Sequence, residues 1–252
     1  MNTTGQDSEE GTLARVLQAC KADACVPEKY WVGLIRAIAG GDALAVHALY
    51  LRTSHLVFRW ALGLTGDRAA AEEATVGVFD EIRYRAWAYD PAGGLVLAWI
   101  LNCVRARSMH RPASKAVPER PGFEVSFFSL WKGLASRMAA ETGREIVVSR
   151  DQAPDMQWEE VAPGISCVLL ARDADSGQVA MLVRLEPGVA YPPHTHAGIE
   201  ELYMFEGELT VDDKELAAGD YLRSEPGSSD RRVVSRTGCS GVLITSGGDL
   251  LL

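Results

Sequence analysis

Residues 188–230 restrict what this chain can fold into more than any other stretch. Gly188 is followed by Val-Ala-Tyr-Pro-Pro, then by His194-Thr-His196-Ala-Gly-Ile-Glu200, then by six residues and Gly207. Two histidines two apart on an extended segment carry their side chains to one face, and a carboxylate four residues later returns to it after a slight bend. Three metal-ligating side chains therefore fall within seven residues. Pro192-Pro193 hold the approach extended without donating hydrogen bonds, and the flanking glycines fit turns where the segment enters and leaves a tight sheet. A second glycine-bounded hairpin, Gly219 to Gly227, is followed by Asp230, a candidate fourth ligand.

The pattern resembles the two motifs of the cupin superfamily. The first stretch matches that family's glycine, His-x-His, glutamate and closing glycine at every position. The second matches in spacing, but the family's histidine falls on Asp230, its proline on Glu225 and its final asparagine on Val234. Wider text resembles the cupin of zinc-binding (ChrR-type) anti-sigma factors: Trp158, Pro163-Gly164, Arg172-Asp173, Leu185-Glu186-Pro187-Gly188 and Gly238-Cys239. This resemblance covers roughly residues 145–248 and implies an all-β cupin, a double-stranded β-helix or jelly-roll barrel. The residues point the same way on their own. From Ile146 on, short apolar runs (Cys167–Leu170, Val179–Leu185, Leu202–Phe205, Val233–Val234, Val242–Thr245) alternate with Gly, Pro and Asp turns.

The expected metal ligands are His194, His196, Glu200 and Asp230. Two histidines and two carboxylates make a harder shell than the three histidines of most cupins; zinc is the first expectation, with iron(II) and manganese also compatible. Four protein ligands would close a tetrahedral zinc site suited to structure or sensing. If Asp230 stays off the metal, two histidines and one glutamate with open positions could activate oxygen or water. A barrel that keeps the motif's shape without metal is the third reading. Glu201 should point away from Glu200 and pair at the surface, and Tyr191 either shapes the cavity or simply packs. His47, His55 and His110 are too scattered for a site and read as half-exposed helix residues.

Residues 29–110 have a different character. Trp31, Leu34, Ile35 and Ile38 recur at helical spacing, as do Leu44, Leu49, Leu56, Val57 and Trp60. Gly40-Gly41-Asp42 and Gly66-Asp67 break these runs and offer Asp42 and Asp67 as N-caps. Helices are expected over Arg68–Trp87 and Leu95–His110, the second ended by Pro112. The order resembles region 2 of extracytoplasmic-function sigma factors, through Leu34–Asp42, Gly66-Asp67 with Ala71-Glu72-Glu73 and Phe79, Arg85–Pro91 and Ala98-Trp99-Ile100. That resemblance implies an all-α bundle that docks on RNA polymerase and opens promoter DNA, with Arg83, Arg85, Trp99, Arg105, Arg107, Arg111 and Lys115 as the candidate contacts. Departures fall where that family acts. Its Gln-Glu on the polymerase-binding helix is Val76-Gly77 here, and a mid-helix glycine costs roughly 1 kcal/mol against alanine. Its Arg-Asn-x-x-x-Asp reads Arg105-Ala106-Arg107-Ser108-Met109-His110, and no second DNA-reading helical domain follows.

The expected organisation is a multidomain chain: a flexible tail (1–28), the sigma-region-2-like helical domain (29–111), a proline-rich linker (112–123), an amphipathic helix (124–141) and the cupin (142–252). Charge follows this division. Net charge is −9 overall, yet residues 30–115 carry ten Lys/Arg against seven Asp/Glu, and residues 150–252 carry eight against eighteen. Such asymmetry suits two domains with different partners. Five scattered cysteines without a C-x-x-C pair argue against a disulfide framework. No stretch approaches the roughly eighteen uninterrupted apolar residues of a membrane span, and the first residues lack a secretion signal's basic start and apolar core. Cytoplasm is the expected location. Two functions fit. One is a transcription regulator in which a metal-binding cupin sensor, responding to a small molecule or oxidant, modulates a degenerate sigma-like domain that contacts RNA polymerase, DNA or a sigma factor. The alternative is a metal-dependent cupin enzyme, oxygenase-like, with an accessory helical domain. A homodimer is compatible with either.

Overall fold

A computed structural model describes residues 26–108, 134, 158–246 and 249–251. The expected linker, Arg111, Lys115, Cys20 and Cys25 lie outside the described residues, as does the helix expected at 124–141 apart from Leu134, which is helical and buried. The chain divides into two compact units, residues 29–155 and residues 156–252 together with 1–28.

The first unit is helical because its breakers and caps stand where the apolar periodicity restarts. Helix α1 (Glu28–Ala39) buries Trp31, Ile35 and Ile38. Asp42 then caps α2 (Ala43–Thr65), its carboxylate accepting from the amides of Leu44 at 2.8 Å and Ala45 at 3.3 Å. Gly66, in the left-handed region, closes α2 by donating its amide to the Leu62 carbonyl. Asp67 caps α3 (Arg68–Arg85) by accepting from the Ala70 amide at 2.7 Å. The expected helix to Trp87 is shorter than that: after Arg85 the chain tightens into 3-10 turns at Ala86–Ala88 and Pro91–Gly93, and Trp87 is left 78% exposed. Helix α4 is Val96–Ser108. The core is aromatic at its centre. Tyr50 of α2 stacks on Phe79 of α3 with ring centroids 4.8 Å apart, and the fully buried Trp60 donates Nε1–H to the Leu101 carbonyl of α4 at 3.1 Å. Leu44, grouped with these by spacing, is 69% exposed because it sits in the first turn of α2.

The second unit is a curled, mostly antiparallel sheet, as the cupin resemblance leads one to expect. Its strands are β1 (Val26–Pro27), β2 (Glu159–Ala162), β3 (Ile165–Arg172), β4 (Gln178–Leu185), β5 (Ala190–Tyr191), β6 (His194–Thr195), β7 (Glu200–Val211), β8 (Lys214–Ala217), β9 (Tyr221–Ser224), β10 (Ser229–Asp230), β11 (Val233–Val234), β12 (Cys239–Ser246) and β13 (Leu250–Leu251). The larger sheet runs β1-β3-β4-β12-β7-β11-β5, with β2 on β3 and with β8 and β9 on β7; the smaller is β10-β6-β13. Val26–Pro27, the end of the stretch expected as a tail, pairs in parallel with Ala171–Arg172. Strict alternation in β3 puts Ile165, Cys167, Leu169 and Ala171 inside. There Ile165, Cys167 and Leu169 join Leu185, Met181, Leu202 and Met204 in the core. The long strand β7 binds most of the sheet together, and Gly207 is what lets it pass β12. Its φ is 75°, and a Cβ there would run into the Gly238 carbonyl. Cys167 and Cys239 are buried and in no disulfide, and burial raises the Cys239 pKa. In the helical unit Cys103 is likewise in no disulfide, its thiol pushed up to about 11, chiefly by burial.

Candidate metal centre

Strand β6 places His194, and β10 lies directly beside it with Asp230 paired opposite His194. His196 follows one residue after β6, and the chain bends through Ala197–Ile199 before Glu200 opens β7. One donor atom from each of His194, His196, Glu200 and Asp230 lies within 4.8 Å of every other. Both histidines and Asp230 are buried.

The imidazoles are oriented by the backbone. His194 Nδ1 lies 3.1 Å from the Pro192 carbonyl, and His196 Nδ1 lies 3.0 Å from the Ser228 carbonyl and 3.1 Å from its hydroxyl. A carbonyl oxygen only accepts, so each Nδ1 carries a proton and each Nε2 is left to ligate. Buried His196 Nε2 has no hydrogen-bond partner among the described residues. It faces Glu200 Oε1 at 3.4 Å and Asp230 Oδ2 at 3.5 Å, distances of charge contact rather than of good hydrogen bonds. A buried, orphaned imidazole nitrogen between two carboxylates is a donor set that fits a divalent cation, whose charge would offset both anions. Without one, Asp230 first and Glu200 second raise the His196 pKa to about 10, against the lowering effect of burial. Burial would raise the Asp230 carboxyl, but His196 holds it below the ordinary value.

Neighbouring side chains complete the picture. Tyr191 meets His194 edge to face at 5.1 Å, and burial first, then Glu200 and Asp249, raise its phenol pKa. Glu201 does turn away from the cluster, as alternation requires, accepting from the Tyr221 hydroxyl at 2.6 Å with Arg223 at 3.7 Å. Asp249 was not legible as part of the site. Its carboxylate accepts from the Ala197 amide at 2.8 Å and the Thr245 hydroxyl at 2.9 Å, clamping the loop between His196 and Glu200. Strand β13 follows it and pairs with β6, Leu251 opposite His194. A cavity of about 90 Å³ inside the sheet is lined by mostly apolar residues together with His194, Glu200 and Asp230.

Among the described residues, the candidate contacts of the helical unit lie in separate local pairings. Arg83 pairs with Asp80 at 2.9 Å and Arg85 with Glu81 at 2.6 Å. Arg107 approaches the same Glu81 at 3.8 Å, its guanidinium lying where a Cβ on Gly77 would be. Trp99 is half-buried on Tyr89, ring centroids 5.4 Å apart, and Arg105 is half-buried on α4. His47 and His55 are half-buried; burial lowers His47, and burial with Arg59 takes His55 to about 4, so both are neutral helix residues. No described helix is long and apolar enough to cross a membrane.

Residues 145–246 match the ChrR cupin-like domain family. The chain is also 32% identical over 82 residues to the ECF RNA polymerase sigma factor SigK of Mycobacterium sp. (strain KMS), covering 32% of this chain and 42% of that protein. SigK of Mycolicibacterium vanbaalenii matches to the same extent. The chain thus spans about two-fifths of the length of the curated relatives it matches. Similar solved structures include a protein with a cupin-like fold from Ralstonia eutropha JMP134, at 22% identity and a TM-score of 0.33 over 35% of this chain and 59% of that one. Another is an acetylacetone dioxygenase from Acinetobacter johnsonii, at 16% identity and a TM-score of 0.34 over 42% and 75%. Residues 145–246 are thus similar to a ChrR-like cupin, and the helical unit is consistent with the sigma-factor similarity.

Proposed function

We propose that the chain is a transcription regulator in which the cupin binds a divalent metal, zinc first, through His194, His196, Glu200 and Asp230. Its state modulates the contact that the helical unit makes with RNA polymerase, DNA or a sigma factor. The observation that carries this reading is the joining, in one chain, of a four-donor cluster within 4.8 Å in a ChrR-like cupin to a segment similar to SigK. Zinc would act there as a closed structural or sensing centre, since four protein donors complete a tetrahedral shell. The helical unit is read as degenerate. Glu81 sits against both Arg85 and Arg107, so basic groups that the resemblance turns toward partners are compensated inside the unit. The unit accordingly modulates a partner instead of starting transcription alone. Metal analysis of the purified chain, followed by co-purification with polymerase subunits and sigma factors, tests this. Stoichiometric metal with one of those partners supports it; a chain that takes up no metal contradicts it.

The second reading, a metal-dependent enzyme, is favoured by one observation: His194, Glu200 and Asp230 line an internal cavity. Dioxygen uptake by the iron(II)-loaded chain would support that reading, and ligand binding without turnover would support the sensor.

A further inference from the structure

We infer that the cavity beside the metal cluster is a binding site for a small, neutral, mainly apolar molecule carrying one hydrogen-bonding oxygen or nitrogen. The inference rests on the proposed metal centre and names the class of signal that reaches it.

Three features of the cavity lead there. The first is size. Its volume is about 90 Å³, several times the roughly 10–15 Å³ that a cavity needs to hold one water, so there is room for a small molecule of at least on the order of six to nine heavy atoms. The second is polarity. Residues such as Met181, Val183, Leu202 and Leu243 supply an apolar wall, while Tyr191, His194, Glu200, Asp230 and Asp249 gather the polar groups. A ligand therefore needs an apolar body and a single polar end. Apolar pockets with few convergent polar groups are how proteins hold small molecules.

The third feature is charge. Glu200, Asp230 and Asp249 all line the cavity. With both histidines neutral, a divalent ion offsets two of the three carboxylates and leaves a net charge of −1. An entering carboxylate would meet that charge inside an apolar wall, where repulsion is only weakly screened. An ammonium group would find the sign favourable but would shed its hydration against side chains that cannot replace it. A neutral alcohol, phenol or carbonyl compound suffers neither cost.

The full chain is loaded with zinc, its metal content is measured, and it is titrated calorimetrically with phenol, benzoate and benzylamine, which share a ring and differ in charge. Phenol is expected to bind once per chain with a Kd on the order of 1 mM or tighter, the affinity that seven heavy atoms can supply. Benzoate and benzylamine should bind at least about tenfold more weakly. Leu243→Trp, which fills the cavity, should abolish phenol binding while zinc content stays at one per chain. Val183→Phe takes its place if that variant loses its cooperative melt. Benzoate binding as tightly as phenol, no saturable phenol binding, or unchanged binding in the filled variant would each overturn the inference. A chain that takes up no zinc contradicts the metal-centred function instead. The same titrations on that metal-free chain still decide the ligand: phenol is again expected to bind and benzoate to bind at least about tenfold more weakly, and loss of either result overturns the inference.

Discussion

In a chain without bound metal, His196 is a cation held between Asp230 and Glu200, with a pKa raised from 6.5 to about 10. Its contribution to stability is complete below pH 6.5 and is lost as pH rises through about 10. Asp230 runs the other way: its depressed pKa contributes stability above 3.8 that is lost as pH falls through the folded value. A metal ion has to displace the His196 proton, so zinc uptake at pH 8 should release about one proton, and apparent affinity should climb with pH toward about 10. Calorimetry in buffers of different ionisation enthalpy checks this; uptake without proton release would contradict it. Substitution separates the ligands. His196→Ala should abolish stoichiometric zinc. Asp230→Ala should weaken zinc by more than about tenfold if that carboxylate ligates, and a competition titration against a chromophoric chelator reads the difference. Gly77 illustrates a residue whose reason lay outside its own helix. As a mid-helix glycine it reads as a weakness, yet the Arg107 guanidinium lies over it. Because that guanidinium ends a flexible side chain, Gly77→Ala should displace it cheaply. Thermal melts should show stability unchanged or raised by up to about 1 kcal/mol.

At the scale of elements, β6 is held on both sides, by β10 and by β13. The carboxylate of Asp249 just before β13 ties down the Ala197 amide. Asp249→Ala should therefore speed zinc dissociation about tenfold, and Asp249→Asn, which keeps an acceptor for that amide, should restore most of the wild-type rate. Stopped-flow transfer of zinc to a chelator measures both, and a wild-type rate in the alanine variant would contradict the role. The alternation of β3 and the caps Asp42 and Asp67 were legible because each is a local signal, carried by residues a few positions apart, whereas Gly207, expected at a turn, lies within β7 because its positive φ serves the close passage of β12. The His194, His196 and Glu200 grouping was legible as another local signal. Asp249 was not, because it reaches the loop across 52 residues through a strand pairing that no local pattern encodes. Nor was the overlay of Arg107 on Gly77, which depends on how α4 lies along α3. Leu44 fits helical spacing but lies where α2 begins, so periodicity overstated its burial, and the helix expected to reach Trp87 stops at Arg85, where a 3-10 turn takes over.

For the whole molecule, the chain carries two units of opposite charge balance, a helical stretch with three more basic than acidic residues and a cupin stretch with ten more acidic than basic. The −9 total therefore does not describe the surface the helical unit offers to a partner. The account makes the metal the input and the helical unit's partner the output. Its most direct test is the equilibrium affinity of the full chain for RNA polymerase core, and for sigma factors that co-purify with it, measured with zinc bound and after chelation. The account predicts a change of at least about tenfold between the two states, a coupling of roughly 1.4 kcal/mol, and no change in His196→Ala. Equal affinity in both states, with zinc shown to be bound in one and absent in the other, would contradict it.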